Sequence, residues 1–400
     1  MSSPSELSLT RRRILTLSGT ASMALMAASC GGGSGIDPLS PGQSSSGPSS
    51  GPSAPGNSIG SGSVRVGLIL PLSAAGGIGA AAAAIRNAAD LAMSEFDNPE
   101  ITLLVKDDRG DPAGARDAVQ QALSEGAELV LGPFTANAVQ QASPLTKTAG
   151  RPMIAFSSDT SVAQPGVYLL SFAPQTDVAR IMSFAAGRGK KSIAALLPEG
   201  AFGNVIVAEY QQQISSLGLT QGPIQRYVPG QAAAAARALA DQISGVDALL
   251  ATDLTDAMAI TADAIAAAGI RNVQILGTGV WNDLSVLQKP ALQGGWFSAP
   301  DAAGFNSFAE RYRKRFSSSP TRTATIGYDS VALAAALVRT QGSNRFAPQT
   351  LTNPSGFAGQ DGIFRFRPDG TNERALAVLQ VTNRAAQVIS PSPRGFGGQS

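Results

Sequence analysis

Histidine is absent from the 400 residues, and cysteine occurs once, at Cys30. Without an imidazole, neither a Ser-His-Asp nor a Cys-His nucleophile can be assembled, and the commonest protein ligand for transition metals is missing. A lone cysteine excludes an intrachain disulfide. Aromatic residues (6%) and charged residues (14%) are both scarce, and the formal charge of +2 contains no long run of one sign. The chain therefore lacks the basic footprint that nucleic acid requires. What is abundant is ordinary apolar content, 43%, together with glycine and alanine. That is enough for a globular core, and the length predicts two or three domains.

The first thirty residues have the order of an export signal. Thr10-Arg11-Arg12-Arg13-Ile14-Leu15 resembles a twin-arginine motif, and an apolar stretch over 14–28 follows. It falls short of the roughly 20 apolar residues of a membrane span. Ala27-Ala28-Ser29-Cys30 resembles a lipobox, with Ala27 where such boxes prefer leucine, and it puts the sole cysteine at the lipidation position. The expectation is a periplasmic protein anchored by lipid on Cys30, to either the inner or the outer membrane. Cleavage before Cys30 removes three arginines and Glu6 and leaves no net charge. Attachment then rests on acyl chains rather than on basic residues. Residues 31–63 are mostly Gly, Ser and Pro. They predict a disordered tether with an r.m.s. span of roughly 30 Å.

From residue 64 strands and helices alternate. Apolar runs at 64–70, 101–106, 129–131 and 153–156 predict strands, with helices over 80–96, from Asp111 to about 126, and after Thr135. Both of the last two strands finish in small polar residues: Gly132-Pro133 and then Thr135-Ala136, and Ser157-Ser158-Asp159-Thr160. In an open parallel sheet those carboxyl ends lie on one edge, the edge where ligands bind. Hydroxyls and free loop amides there suit a small anion such as a carboxylate and need no catalytic group. A second alternating set covers 192–276, with a return crossing at 296–300 and helices over 305–316 and 325–341. A strand pair, 362–366 with 375–382, is expected around Pro368-Asp369-Gly370, and 386–400 is expected to fray. This alternation implies an α/β architecture with doubly wound, mostly parallel sheets.

Two other chemistries find little support. Gly76-Gly77-Ile78-Gly79 lacks the G-x-G-x-x-G spacing of a dinucleotide loop, and Asp107-Asp108 is a weak ribose signal. Carboxylate chemistry on sugars needs two convergent acids, and no clear pair stands out. No cofactor is expected.

Several stretches together resemble the periplasmic binding proteins of the Leu/Ile/Val type. In order they are Leu70-Pro71-Leu72-Ser73, Asp107-Asp108 with Asp111-Pro112, Leu131-Gly132-Pro133, Ile154-Ala155-Phe156-Ser157-Ser158, Ala201-Phe202-Gly203, Ala267-Ala268-Gly269 before Leu276-Gly277, Tyr328-Asp329-Ser330, and Phe364 through Gly370. The resemblance implies two Rossmann-like lobes joined by three crossovers and closing like a hinge. The first lobe would span 64–174, completed by about 299–343, and the second 175–298, completed by about 355–385. It also implies a non-enzymatic protein that takes a small-molecule ligand, an amino acid or related carboxylate, for an ABC permease. In that family the first lobe holds the carboxylate, here through Thr135, Ala136, Ser157, Ser158 and Asp159. The second lobe supplies aromatics and an acid for the ammonium. Here Phe202 stands where a tyrosine is expected, and Thr278-Gly279 where the acid is expected, leaving Asp253, Asp256 or Asp283 to serve. Some proteins of this fold resemble penicillin-binding protein activators, so the alternative is a regulatory lipoprotein acting by contact with a cell-wall synthase.

Overall fold

The computed structural model describes residues 58–396; the twin-arginine segment, Cys30 and the tether up to residue 57 lie outside the described residues. Ser58–Ile59 (β1), inside the expected tether, already pairs antiparallel with the edge of the first sheet. Val64–Leu70 (β2) follows, then Gly76–Glu95 (α1), Ile101–Asp107 (β3), Pro112–Ser124 (α2), Leu129–Leu131 (β4), Ala136–Thr148 (α3), Met153–Ala155 (β5) and Val167–Leu169 (β6). The strands of this set are near-continuous apolar runs because both sheet faces are covered; six of the seven residues of β2 are buried. Helix α1 starts at Gly76, ahead of the expected start at 80. Asp111 caps α2 by accepting from Gly114 N at 2.7 Å, and Pro112 fills its first position, a typical helix start.

The chain then crosses to a second set: Pro174–Gly187 (α4), Ser192–Pro198 (β7), Ala201–Ser216 (α5), Thr220–Tyr227 (β8), Ala232–Ala240 (α6), Ala248–Ala251 (β9), Thr255–Ala267 (α7), Gln274–Gly277 (β10), Leu284–Leu287 (α8) and Trp296–Ala299 (β11). It returns at 300–301 to Ala302–Phe316 (α9) and Ala324–Gln341 (α10), which pack on α1, then to Pro348–Leu351 (α11) and a small antiparallel sheet of Phe357–Gly359 (β12), Gly362–Phe366 (β13) and Asn372–Arg374 (β14). A last crossing at 375–376 leads to Ala377–Thr382 (β15) and Ala385–Ser390 (β16).

The strand orders are β1-β3-β2-β4-β5-β6 and β16-β15-β11-β10-β9-β7-β8. Their parallel parts, β3-β2-β4-β5-β6 and β8-β7-β9-β10-β11, share one pattern, and each sheet has a separate apolar cluster on each face. The molecule is thus two doubly wound Rossmann-like lobes joined by three crossovers.

The expected pair of 362–366 with 375–382 does not form. The turn is there, with Asp369 accepting from Thr371 N at 2.9 Å, but β13 pairs with β14, Phe364 opposite Arg374, while β15 runs antiparallel to β11 in the other lobe. The segment after the turn divides at Ala375-Leu376, one half to each lobe. Phe364 and Phe366 join the first-lobe core, so 355–374 adds to that lobe rather than to the second. Local alternation serves either partner equally, so only tertiary packing chooses. Residues 386–390, expected to fray, lie in β16, which pairs with β15.

Candidate functional site

A cavity of about 220 Å³ lies where the lobes meet. Its walls include Phe172 and Ala173 of the first crossover with Pro174 at the start of α4, Pro300 of the second, and Leu376 of the third with Arg374 at the end of β14. The second lobe adds Asp177 of α4, Phe202 of α5 and the turn 278–280 after β10. The second-lobe wall is therefore built from carboxyl ends of parallel strands. A larger cavity, about 380 Å³, is lined by 146–151, 164–168 and 343–348. It sits at the amino ends of β4, β5 and β6, the edge of an open sheet that does not take ligands.

The crossovers hold one another. Ser171 O accepts from Asn372 Nδ2 at 2.8 Å and from Arg374 Nε at 3.1 Å, while Leu169 N donates to Gly370 O at 2.8 Å. Arg180 of α4 donates to Leu376 O at 2.9 Å. The first and third crossings are thus one hydrogen-bonded ribbon.

Of the residues singled out from the sequence, Phe202 lines the cavity. Its position follows from Gly203, where a Cβ would lie 1.7 Å from Pro198 O. Only glycine lets α5 begin this close to the end of β7. Thr135 occupies the N-cap position of α3 without a side-chain cap bond, and Ala136 is the first residue of that helix. Ser157 is buried, and its Oγ accepts from Asp159 N at 3.1 Å. Asp159 accepts from Ser161 N at 2.9 Å, and Ser158 and Asp159 are exposed. None of these five lines the cavity. Asp253 is buried in the second lobe, where Tyr227 Oη donates to it at 2.7 Å and Thr261 Oγ1 at 3.4 Å. Asp283 caps α8, accepting from Ser285 N at 2.8 Å. Neither acid lines the cavity.

Three charged residues that do line it were not singled out from the sequence: Asp177, Arg322 and Arg374. Asp177 Oδ1 accepts from Ser298 Oγ at 3.1 Å and Gly279 N at 3.3 Å. Burial pushes its carboxyl up to about 7, against the opposing pull of those two donors. Part of its surface still meets the cleft, but its carboxylate is surrounded by protein, and desolvation governs its titration. Arg322 Nε donates to the buried Asp361 at 2.8 Å, and Asp361 also accepts from Thr325 Oγ1 at 2.7 Å. Asp329 is buried on α10; burial pushes it up to about 7, with Arg374 nearby pulling the other way. Arg374 interrupts an alternating strand at a position that is buried. That arginine was the one readable signal. Asp177 sits in a helix first turn, an ordinary place for an acid.

Trp281 is fully buried, donates to Ala251 O at 3.1 Å, and lies where a Cβ on Gly277 would enter its ring. It packs beneath β10 and stays out of the cavity.

A family model described as periplasmic binding protein matches residues 63–386. Comparison with curated proteins gives no match. Among solved structures, a protein of Rhodospirillum rubrum described as a branched-chain amino acid ABC transporter superposes with a TM-score of 0.74 at 19% identity, covering 82% of this chain and 99% of its own. The branched-chain amino acid transporter substrate-binding protein LivJ of Streptococcus pneumoniae, solved with isoleucine, gives 0.56 at 19%, covering 82% and 99%. A solute-binding protein of an ABC transporter from Rhodopseudomonas palustris, solved with 3,4-dihydroxybenzoic acid, gives 0.60 at 20%, covering 83% and 97%. With its two lobes and a match running over nearly all the described residues, this chain belongs to the periplasmic binding protein family and has the fold of the Leu/Ile/Val-binding type.

Proposed function

We propose that this protein is an extracytoplasmic, non-enzymatic binding protein. It captures a small polar solute, an amino acid or related carboxylate, between its lobes and hands it to an ABC permease. One observation carries this reading: the interlobe cavity is walled by all three crossovers as well as by the second lobe. A solute held there touches the hinge itself, so its binding free energy favours one lobe arrangement over another. The volume, about 220 Å³, equals roughly seven water volumes and suits a small solute rather than a peptide. Phe202 forms part of the second-lobe wall. The first-lobe edge, Thr135, Ala136, Ser157, Ser158 and Asp159, forms the opposing jaw when the lobes close. Asp253 and Asp283, already bonded within the second lobe, support that lobe instead of meeting the solute.

The lipobox supports anchoring through acylated Cys30 in the periplasm after twin-arginine export. Mass spectrometry of the N-terminal peptide of the mature protein would carry the acyl groups, and Cys30→Ala would move the protein to the soluble fraction. Calorimetry against amino acids and small organic acids tests the capture itself. Saturable binding of one of them is expected, and a folded protein that binds none overturns the proposal.

One observation favours a second reading. The five first-lobe candidates stand off the cavity, and two of them are engaged in their own turn. A regulatory lipoprotein that contacts a cell-wall synthase, as penicillin-binding protein activators do, needs no such jaw. Crosslinking in the intact envelope separates the two readings: a permease component or a murein synthase is recovered.

A further inference from the structure

A fourth span joins the lobes beside the third crossover. β16 belongs to the second sheet, where Ser390 stands opposite Val378 of β15. Pro391 has no amide hydrogen to continue that ladder, and the strand stops at Ser390. By Phe396 the chain has reached the first lobe. The Phe396 ring centroid lies 4.4 Å from Cζ of Arg365 on β13, the strand whose Phe364 and Phe366 belong to the first-lobe core. The seat of this ring is firmly built. Arg365 donates to Glu373 from Nη2 at 2.7 Å and from Nε at 3.0 Å, and to Pro354 O from Nη1 at 3.2 Å. Its guanidinium is thereby fixed where a cation attracts an aromatic ring. Gly356 has φ +72°, and a Cβ there would lie 2.9 Å from a ring carbon of Phe396, so glycine is what leaves room for the ring.

Between the two ends runs Pro391-Ser392-Pro393-Arg394-Gly395. Each proline fixes its own φ and pushes the residue before it to extended backbone. Residues 390–393 are therefore a stiff spacer rather than a loose tail. Ser392 Oγ is buried, so the spacer lies against the body of the protein. At its root, Arg180 donates from Nη2 to Ser390 Oγ at 2.9 Å and from Nε to Leu376 O of the third crossover at 2.9 Å. One side chain thus ties the root of the spacer to the hinge.

We propose that residues 391–396 are a strap that latches the two lobes in the arrangement described here, with Phe396 as its catch. In this arrangement the first-lobe candidates stand off the cavity. Six residues reach at most about 20 Å, and a stiff spacer takes up little slack. A lobe rotation that carries the Arg365 and Gly356 seat away from Ser390 must pull the ring out. The docked ring therefore weights the lobe equilibrium by the free energy of its contact, whether or not the cavity is filled.

The test uses the full chain without solute. Arg394 is exposed, but the bond after it must leave the body of the protein to enter a protease, so cleavage by trypsin there tracks undocking. Phe396→Ala is expected to be cut after Arg394 roughly 2- to 10-fold faster than wild type, the weight of one ring–cation contact, and Phe396→Tyr at the wild-type rate. Hydrogen exchange reads the hinge itself. The amides of Leu169 and Ala375, which donate to Gly370 O at 2.8 Å and Ile363 O at 2.9 Å, are expected to exchange faster in Phe396→Ala by a similar factor. Wild type nicked after Arg394, identified by mass, loses the ring from an already folded protein and keeps the test valid even if Phe396→Ala fails to fold. Unchanged cleavage in Phe396→Ala overturns the proposal. So does faster cleavage with wild-type exchange at both amides, or a nicked protein that exchanges as the intact one. Because no solute enters the test, its failure leaves the capture reading standing.

Discussion

The two lobes repeat one strand order but equip their ligand edges differently. In the first lobe, the polar residues after β5 serve their own turn: Ser157 accepts from Asp159 N, and Asp159 from Ser161 N. Around the interlobe cavity, ionisable side chains from distant elements meet: Asp177 against Ser298 and Gly279, Arg322 against Asp361, and Arg374 held by Ser171 with Nη1 and Nη2 buried and unbonded. Short-range hydrogen bonds satisfy a turn and leave nothing over. Long-range ones, made where the crossings converge, leave buried donors such as Nη1 and Nη2 of Arg374 without a partner. Strand topology places an edge, and the convergence of crossovers supplies its electrostatics.

The sharpest way to break this contrast is at the hinge. Arg322→Met strips the partner from Asp361, whose side chain is 0% exposed. The expected loss is about 3–5 kcal/mol of stability, read as a lower urea midpoint. A change below about 1 kcal/mol, the range of surface pairs, would mean the hinge charges matter no more than exposed ones.

Next in size is a pH effect. Asp177 is pushed from an ordinary 3.8 up to about 7 by burial, and Asp329 likewise. Between those values the native state binds protons that the unfolded chain releases. Stability therefore falls as pH rises from near 4 to near 7 and levels off above. Each pK unit separating the two states is worth roughly 1.4 kcal/mol. Asp177→Asn should flatten part of this slope in urea titrations at stepped pH, and an unchanged slope would show that its carboxyl is freely solvated.

Tyr227→Phe probes an interior network away from the cavity. The hydroxyl meets Asp253 at 2.7 Å and Thr261 at 2.9 Å. Its loss should cost about 1–3 kcal/mol with solute affinity unchanged, which calorimetry checks. A drop in affinity would return Asp253 to the binding surface.

The smallest effect is expected at the first-lobe turn. Ser157→Ala should cost roughly 0.5–1.5 kcal/mol in stability. A loss of solute affinity beyond that identifies Ser157 as part of the closing jaw, and unchanged affinity confines it to the turn.

Much of the fold was readable residue by residue. Near-continuous apolar runs such as β2 and β9 have only one stable home, a sheet covered on both faces. Asp111-Pro112 is a helix start by its own chemistry. The partner of Gly362–Phe366 was not readable, because the alternation in 372–382 fits either sheet and the division at Ala375-Leu376 leaves no local mark. Most of the cavity's charges were hidden too: Asp177, Arg322 and Arg374 are far apart along the chain, and only Arg374, which interrupts an alternating strand, stands out in its own segment.

The sequence by itself determined the alternating α/β architecture, two lobes of similar build, and the exclusion of histidine chemistry. Periodicity, turn residues and composition are local properties, and they act over a few residues. The tertiary structure alone decided which strands share a sheet after residue 370, and which side chains face the space between the lobes. Those outcomes depend on burial and on distances between atoms more than a hundred residues apart, such as the 2.8 Å between Asn372 Nδ2 and Ser171 O, which no local pattern encodes.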